Sequence, residues 1–456
     1  MLHHRRSPLK KYQRYGMPLF FAKNPVEFDA LPRICWHLFS FASTVAHTLV
    51  VFGSMTGPHD DICTMIVQPT SFAPLRILHL NSLLTGGGTD DQCIKLAAEL
   101  HRLDQKVWLA GPAGRDLEPM VKSSGVPFLD TGAASGKIQF IMRAARMIRS
   151  ERIQIVHGHH GRDIWPSIFA ARLAGTRPKL VLSRHLAKSP GSWASRRYLL
   201  RQCDALIAVS EFVAKVLREG AYEPNSPELE RRVRPAMLGD HGKIHVVYGG
   251  IDTEKFKPAD AEEMRRELGL SPGDFAFAVA GGFDLPRGKG QREFLAAATR
   301  IHQNAHHARF LLIGRGSMEE ILRSDIQSLG LRGKAWLTGQ KRDMPRIMNA
   351  IDCLVHPQIG TEALGLVVCE AHACGKPVIA SDLDGIPEAF RIGNYGRLVP
   401  PEDIAALGKA MLSQTVAPVL SADEKLALHE RVRGRFSLAR QANEVLRIYR
   451  TLEGLG

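Results

Sequence analysis

A chain of 456 residues with 45% hydrophobic and 23% charged residues has the make-up of a globular protein with two or three domains, which excludes a fibrous or wholly disordered one. Its seven cysteines are odd in number and contain no C-x-x-C pair, so they suggest neither a disulfide framework nor a zinc ribbon, and a reducing compartment is expected. The formal charge of +14 is unevenly spread, with sixteen Lys or Arg against four acids between Lys137 and Arg218.

Residues 1–74 read as an N-terminal extension. MLHHRRSPLKKYQRYG is basic and polar, and no Lys, Arg, Asp or Glu occurs from Ile34 to Pro58. ICWHLFSFASTVAHTLVVFG has the length of a membrane span, although His37, His47 and several hydroxyl residues weaken it, and no A-x-A cleavage site is evident. The expectation is a poorly packed or membrane-associated segment, or sequence ahead of the true start, with Met55 or Met65 as initiator.

At Leu75 the pattern changes. The apolar run Ile77, Leu78, Leu80 meets Gly86-Gly87-Gly88, then an amphipathic helix with Leu96, Ala97 and Leu100, then a second apolar run from Val107 to Ala110. This is a βαβ unit, and further apolar runs through Ile244 to Tyr248 predict a parallel sheet wrapped by helices over 75–248. The three glycines let backbone approach a ligand that any Cβ would exclude, but Asp91 stands where the third glycine of a dinucleotide fingerprint belongs.

Arg143, Arg146, Arg149 and Arg152 recur every third residue, predicting one basic side of a helix. It reads as a solvated face or one meeting an anionic membrane or acidic lipid-linked acceptor, with nucleic acid the weaker alternative. HGHHGRD at 157–163 ends a strand, and three close histidines invite a metal. Neither C-x-x-C nor H-E-x-x-H is present, and zinc would need a further ligand from elsewhere, so no metal is expected.

A second α/β series begins with FAFAVAGG at Phe275 and runs to GRLVP, giving a second domain over 249–435. Two such domains leave a cleft between the carboxyl ends of their strands, where open parallel sheets bind ligands. KIHVVYGGIDTEKFKP is the expected hinge. FSLARQANEVLRIYRTL carries Leu438, Ala442, Val445, Tyr449 and Leu452 on one face.

Glu362 and Glu370 dominate HPQIGTEALGLVVCEAHACGKPV. From Leu364 to Cys374 the residues are nearly all apolar or small, and Gly375 then Pro377 signal a helix end. Glu370 in that helix needs a partner. Gly365, with no side chain in the first turn, exposes N–H groups that suit a diphosphate near Leu364 to Val367. Asp382-Leu383-Asp384 imitates a metal-binding D-x-D, but the pattern is common by chance.

The E-x7-E spacing within EALGLVVCEAHACGKPVIASD resembles the signature of GT-B glycosyltransferases of family 4 (glycosyl transferases group 1), over about residues 75–455. The resemblance implies a GT-B fold: two Rossmann-like parallel-sheet domains facing a cleft, with 436–456 crossing back to the first domain. It implies a donor diphosphate on Leu364, Gly365 and Leu366, ribose hydroxyls on Glu370, and the donor sugar against Glu362 and His185. Lys289 of the family's K-G would neutralise the leaving diphosphate. Gly282 stands at the family's arginine position, and Arg287 on the same turn is expected to substitute; Gly249 replaces the usual Asn of the hinge turn. Gly87 and Gly88 would close the site from the first domain, with His159 and His160 on the acceptor side. The implied activity is retaining transfer from a nucleoside diphosphate sugar to a hydroxyl of a glycan or lipid-linked acceptor, in cell-envelope polysaccharide or lipopolysaccharide synthesis. Neither cofactor nor obligatory metal is implied, nucleic acid is not an expected partner, and a cytoplasmic location peripheral to the inner face of the membrane is expected. The alternatives are a sugar-nucleotide epimerase on this fold and a degenerate nucleotide-sugar-binding subunit.

Overall fold

The computed structural model describes residues 49–53, 63–67, 73–114, 116–132, 136–222, 233–286, 288–341 and 343–455. Two units divide the chain, 1–74 with 455–456, and 75–454. In the first, β1 (Leu49–Gly53) and β2 (Cys63–Val67) pair antiparallel. Most of the apolar stretch expected as a span, 34–48, lies outside the described residues, as does Met55. Among the described residues no helix is long and apolar enough to cross a membrane.

The second unit holds two sheets. The first comprises β3 (Arg76–Leu80), β4 (Lys106–Gly111), β5 (Phe128–Asp130), β6 (Ile155–Gly158), β7 (Lys179–Arg184) and β8 (Ala205–Ala208). A short hairpin of β9 (Ala221–Tyr222) and β10 (Val233–Arg234) then precedes β11 (Ile244–Val246), the seventh strand of that sheet. In space the order is β11-β8-β7-β6-β3-β4-β5, all parallel. The second sheet, β12 (Phe275–Ala280), β13 (Ala308–Ile313), β14 (Ala335–Gly339), β15 (Cys353–His356), β16 (Val378–Ser381) and β17 (Gly396–Val399), is ordered β14-β13-β12-β15-β16-β17. Both follow the doubly wound 3-2-1-4-5-6 pattern, which places a ligand crevice at the carboxyl ends where the order reverses. Those points are β3/β6 and β12/β15.

Parallel strands covered on both faces must be apolar throughout. In the second sheet Phe277 and Phe310 pack with Phe294 on one face, and Ala278, Leu311 and Leu354 pack with Val368 and Ala371 on the other. The helices that bear on the site are α1 (Gly88–Arg102), α2 (Lys137–Ser150), α3 (Ile164–Ala174), α4 (Trp193–Gln202), α5 (Glu211–Glu219), α6 (Leu366–Ala373), α7 (Ile386–Gly393) and α8 (Leu438–Leu452).

The α8 helix buries Ala442, Val445, Leu446 and Tyr449. It docks on the first domain: the Tyr449 hydroxyl lies 2.5 Å from His157 Nδ1, and Gln154 Nε2 donates to Glu453 at 3.2 Å. The hinge is stitched beside it. Ile251 N–H donates to the Phe436 carbonyl at 2.7 Å, Leu438 N–H returns a bond to Ile251 at 3.1 Å, and Gly250 N–H donates to both Gln92 and Gln441 at 3.1 Å. A Cβ on Gly250 would come within 2.9 Å of the Leu438 backbone, so this crossing needs glycine. Of the four arginines expected along one helix side, Arg143, Arg146 and Arg149 lie on α2. Arg152 lies beyond its end with φ 48°, because the helix stops at Ser150 and the chain turns.

Candidate active site

On the first-domain side, β3 runs into the glycine loop. Gly86 and Gly87 have φ of 108° and 110°, and a Cβ on Gly86, Gly87 or Gly88 would meet no protein atom within 4 Å. The conformation of Gly86 and Gly87 requires glycine, and the space beside all three is open rather than packed. Asp90, buried in the first turn of α1, holds the loop by accepting from Asn81 Nδ2 (2.9 Å) and from the N–H groups of Thr85 (3.1 Å) and Gly86 (3.2 Å). His160 Nε2 lies 3.2 Å from the same carboxylate. Burial alone would raise Asp90, but His160 and Asn81 hold its carboxyl below the usual range. Asp163 secures the other side of the loop, accepting from the N–H groups of Ser82 (3.1 Å) and His160 (3.0 Å), and burial lifts it to about 6.

The histidines expected to line the acceptor side therefore differ in position. His160 braces the glycine loop. His159 is 2% exposed and sits under it, its Nε2 2.8 Å from His79 Nδ1, so it belongs to the floor of the site rather than its surface. His185 follows β7 with its ring centroid 5.8 Å from that of His159, and burial lowers its pKa to about 4.

On the second-domain side, β12 is followed by the loop carrying Lys289 and β15 by the loop carrying Glu362. Lys289 Nζ and Glu362 Oε2 are 2.8 Å apart. Burial would raise the Glu362 carboxyl, but Lys289 and His356 hold it below its ordinary value. Gly290 makes the approach possible: with φ 85°, a Cβ there would lie 1.9 Å from the Pro357 carbonyl. Glu362 N–H donates to Asp384 at 3.1 Å, and burial lifts Asp384 to about 6. That bond gives the second acid of the D-x-D sequence a loop-fastening part. Arg287 lies outside the described residues. A Cβ on Gly282 would meet nothing closer than 3.8 Å, so the turn has room where the side chain is missing.

The expected first turn begins later than the residue pattern implied. Gly365 is the N-cap, left-handed at φ 83°, and α6 starts at Leu366, because that turn requires φ > 0 and breaks the helix before it. Leu364 is buried and Leu366 half-buried beside Gly249. The helix ends in a Schellman motif: Lys376 N–H donates to Ala371 and Gly375 N–H to His372. Val368, Cys369 and Ala371 are fully buried around Glu370. Among the described residues the Glu370 carboxylate makes no hydrogen bond or ion pair; burial pushes it to about 7, opposed by Lys95 of α1. Lys95 is itself paired with Asp91 at 2.6 Å. The partner expected for Glu370 is thus no arginine or backbone group among the described residues.

Two side chains, Ser210 and Glu388, close the domains over this side. Ser210 Oγ donates to the Ala363 carbonyl at 2.6 Å, and Glu388 accepts from the N–H groups of Glu211 (2.9 Å) and Phe212 (2.7 Å) and from the Tyr248 hydroxyl (2.9 Å). Glu388 thereby caps a helix of the opposite domain. Sequence reasoning did not single out Asn81, Asp90, Lys95, Ser210 or His79. Asp90 carried one usable signal, an acid in the first turn after a glycine loop. A separate cavity of about 110 Å³, lined by Lys376, Tyr395 and Lys425 among others, lies at the amino ends of the second-sheet strands, away from this chemistry.

Two doubly wound parallel sheets facing a crevice, with a C-terminal helix that returns to the first, are the architecture of the GT-B class of glycosyltransferases. Residues 275–414 match the family described as glycosyl transferases group 1, and residues 86–227 match glycosyltransferase family 4. A phosphatidyl-myo-inositol mannosyltransferase of Mycobacterium leprae (strain TN) is 36% identical over 381 residues, covering 81% of this chain and 94% of its own. The Escherichia coli UDP-Gal:alpha-D-GlcNAc-diphosphoundecaprenol alpha-1,3-galactosyltransferase is 26% identical, over 75% of this chain and 86% of its own. Among solved structures, Anabaena HepE in complex with UDP superposes with a TM-score of 0.67 at 18% identity, over 83% of this chain and 100% of its own, which speaks to the fold. The chain belongs to glycosyltransferase family 4, glycosyl transferases group 1, and is a glycosyltransferase.

Proposed function

We propose that this enzyme transfers a sugar from a nucleoside diphosphate sugar to a hydroxyl of a lipid-linked or glycan acceptor, with retention at the anomeric carbon and without a divalent metal. The observation that carries the reading is Glu370, a carboxylate amid fully buried neighbours with no hydrogen bond or ion pair among the described residues, on the helix whose start adjoins the Lys289–Glu362 pair. Ribose hydroxyls are donors of the kind it lacks. In transfer, the bond from the anomeric carbon to the diphosphate breaks, and the electron pair leaves with the diphosphate. The acceptor oxygen bonds to the same carbon, and its proton passes to the departing diphosphate. Lys289 and the N–H groups at the start of α6 are suited to the charge that grows on the departing diphosphate.

Glu362 is already engaged by Lys289 and by the Ala363 N–H at 3.1 Å, which suits contact with donor-sugar hydroxyls better than attack. In the names of the two relatives the acceptors are a phosphatidyl-inositol and a diphosphoundecaprenol, which favours the lipid-linked arm. The first domain suits such an acceptor: Ile138, Met142, Phe169, Leu173, Trp193 and Tyr198 are exposed among the arginines of α2 to α4. That pairing of charge and apolar surface supports contact with an anionic membrane.

A thermal-shift screen of UDP-, GDP- and ADP-sugars identifies the donor, and calorimetry with Glu370→Ala tests the site. Donor binding is expected to disappear; unchanged affinity overturns the assignment. Donor turnover with no acceptor present would favour the epimerase instead.

A further inference from the structure

Strands β3 and β6 pair in register with His79 beside His157, and the chain leaving β6 folds His159 over them. The ring centroids are 4.1 Å apart for His157 and His159, 5.0 Å for His79 and His159, and 5.2 Å for His79 and His157. One ring nitrogen from each lies within 4.8 Å of the others, and all three residues are at most 2% exposed. The further ligand that the 157–163 loop lacks by itself comes from the neighbouring strand.

Tautomer counting gives an independent reason to look for a ligand. A neutral imidazole has one N–H and one lone pair. In the 2.8 Å contact between His79 Nδ1 and His159 Nε2 one ring donates and the other accepts. Whichever way it runs, the donor's second nitrogen is a bare lone pair and the acceptor's second nitrogen an N–H. Those two atoms, His79 Nε2 and His159 Nδ1, are buried and have no partner among the described residues. Buried polar atoms left so call for a ligand or a water. A metal takes one lone pair from each ring, so on loading the 2.8 Å contact between His79 and His159 opens and each ring keeps its single N–H on the nitrogen turned away from the ion.

We propose that His79, His157 and His159 form a three-histidine site for a zinc-class divalent cation, in the floor of the first domain beneath the glycine loop. Neutral imidazoles suit zinc, cobalt, nickel or copper, whereas magnesium and calcium seek oxygen. Tetrahedral zinc at about 2.0–2.1 Å from nitrogen sets its ligands about 3.4 Å apart, so the rings draw together by up to about 1.4 Å. His157 has an outer partner on each nitrogen, Tyr449 at 2.5 Å and Ser183 at 2.8 Å. It yields one and keeps the other, which fixes the ring as outer partners of metal-bound histidines do.

The test uses the full chain without a polyhistidine tag, stripped with chelator and reloaded with zinc, cobalt or magnesium. Elemental mass spectrometry should find about one zinc or cobalt per chain, the cobalt form should show visible bands of a low-coordinate nitrogen site, and Tm should rise by several degrees with zinc but not magnesium. His79→Gln and His157→Gln should each lose the bound equivalent, while a His3→Gln/His4→Gln variant keeps it. Should either core variant misfold, the stoichiometry and cobalt spectrum of the unaltered chain still decide. Uptake below a tenth of an equivalent by the folded chain, uptake unchanged in His79→Gln, or loss only when His3 and His4 are replaced each overturns the proposal. A bound water would give the first of these. No sugar-nucleotide enters the measurement, so its outcome is independent of the donor assignment.

Discussion

Glu362 and Glu370 stand eight residues apart under opposite electrostatic conditions. Lys289 keeps the first ionised, while burial lifts the second to about 7 from an ordinary 4.5. Between those two values the folded chain binds a proton at Glu370 that the unfolded chain has released, so stability falls as pH rises through that window, and the whole penalty is present above it. Glu370→Gln should therefore raise Tm above pH 7 and leave it unchanged below about pH 4. At 1.36 kcal/mol per pKa unit the gain is at most about 3 kcal/mol, read from thermal melts across pH. Lys289→Ala should lower kcat by about 10²–10³ at saturating donor, the scale of losing one preorganised group that stabilises a leaving group, with an unchanged circular dichroism spectrum. A loss confined to KM would make Lys289 a binding group only.

The closure between α5 and the start of α7 is an element-scale property. Glu388 satisfies two N–H groups at the start of α5 that its own N-cap Ser210, bonded to Val213 at 3.1 Å, does not reach. Glu388→Ala should cost about 1–2 kcal/mol in urea unfolding and enlarge the radius of gyration seen by small-angle scattering; unchanged values in both would remove its part in closure. This pairing spans 177 residues, and no periodicity in the chain announces it. The βα alternation and the apolar α6 could be read because period and punctuation are local signals. What escaped was set by register or by backbone sign. His79 in RILHL looks like one more core position of a strand, and only the β3–β6 register makes it a neighbour of His157. Gly365 looks helical until its positive φ moves the start of α6 to Leu366. Strand β5, three residues long, is too short to show a period.

Across the whole molecule the excess charge concentrates on one domain, and α2 to α4 add exposed Trp193, Phe169 and Ile138 to it. Binding to vesicles containing anionic lipid should weaken steeply between low and physiological salt and drop further for Arg143→Glu/Arg146→Glu; cosedimentation indifferent to both would mean that face is merely solvated. The junction between the lobes carries a mechanical consequence. Both passages of chain meet at one seam, where Ile251 and Ser437 are bridged. The two lobes are covalently joined along that line alone, so any change in their relative setting has to be taken up there. Away from that line the lobes also meet through the bonds of Ser210 and Glu388 and the Asp116–Arg315 ion pair, so these contacts and the seam together fix the opening in this structure.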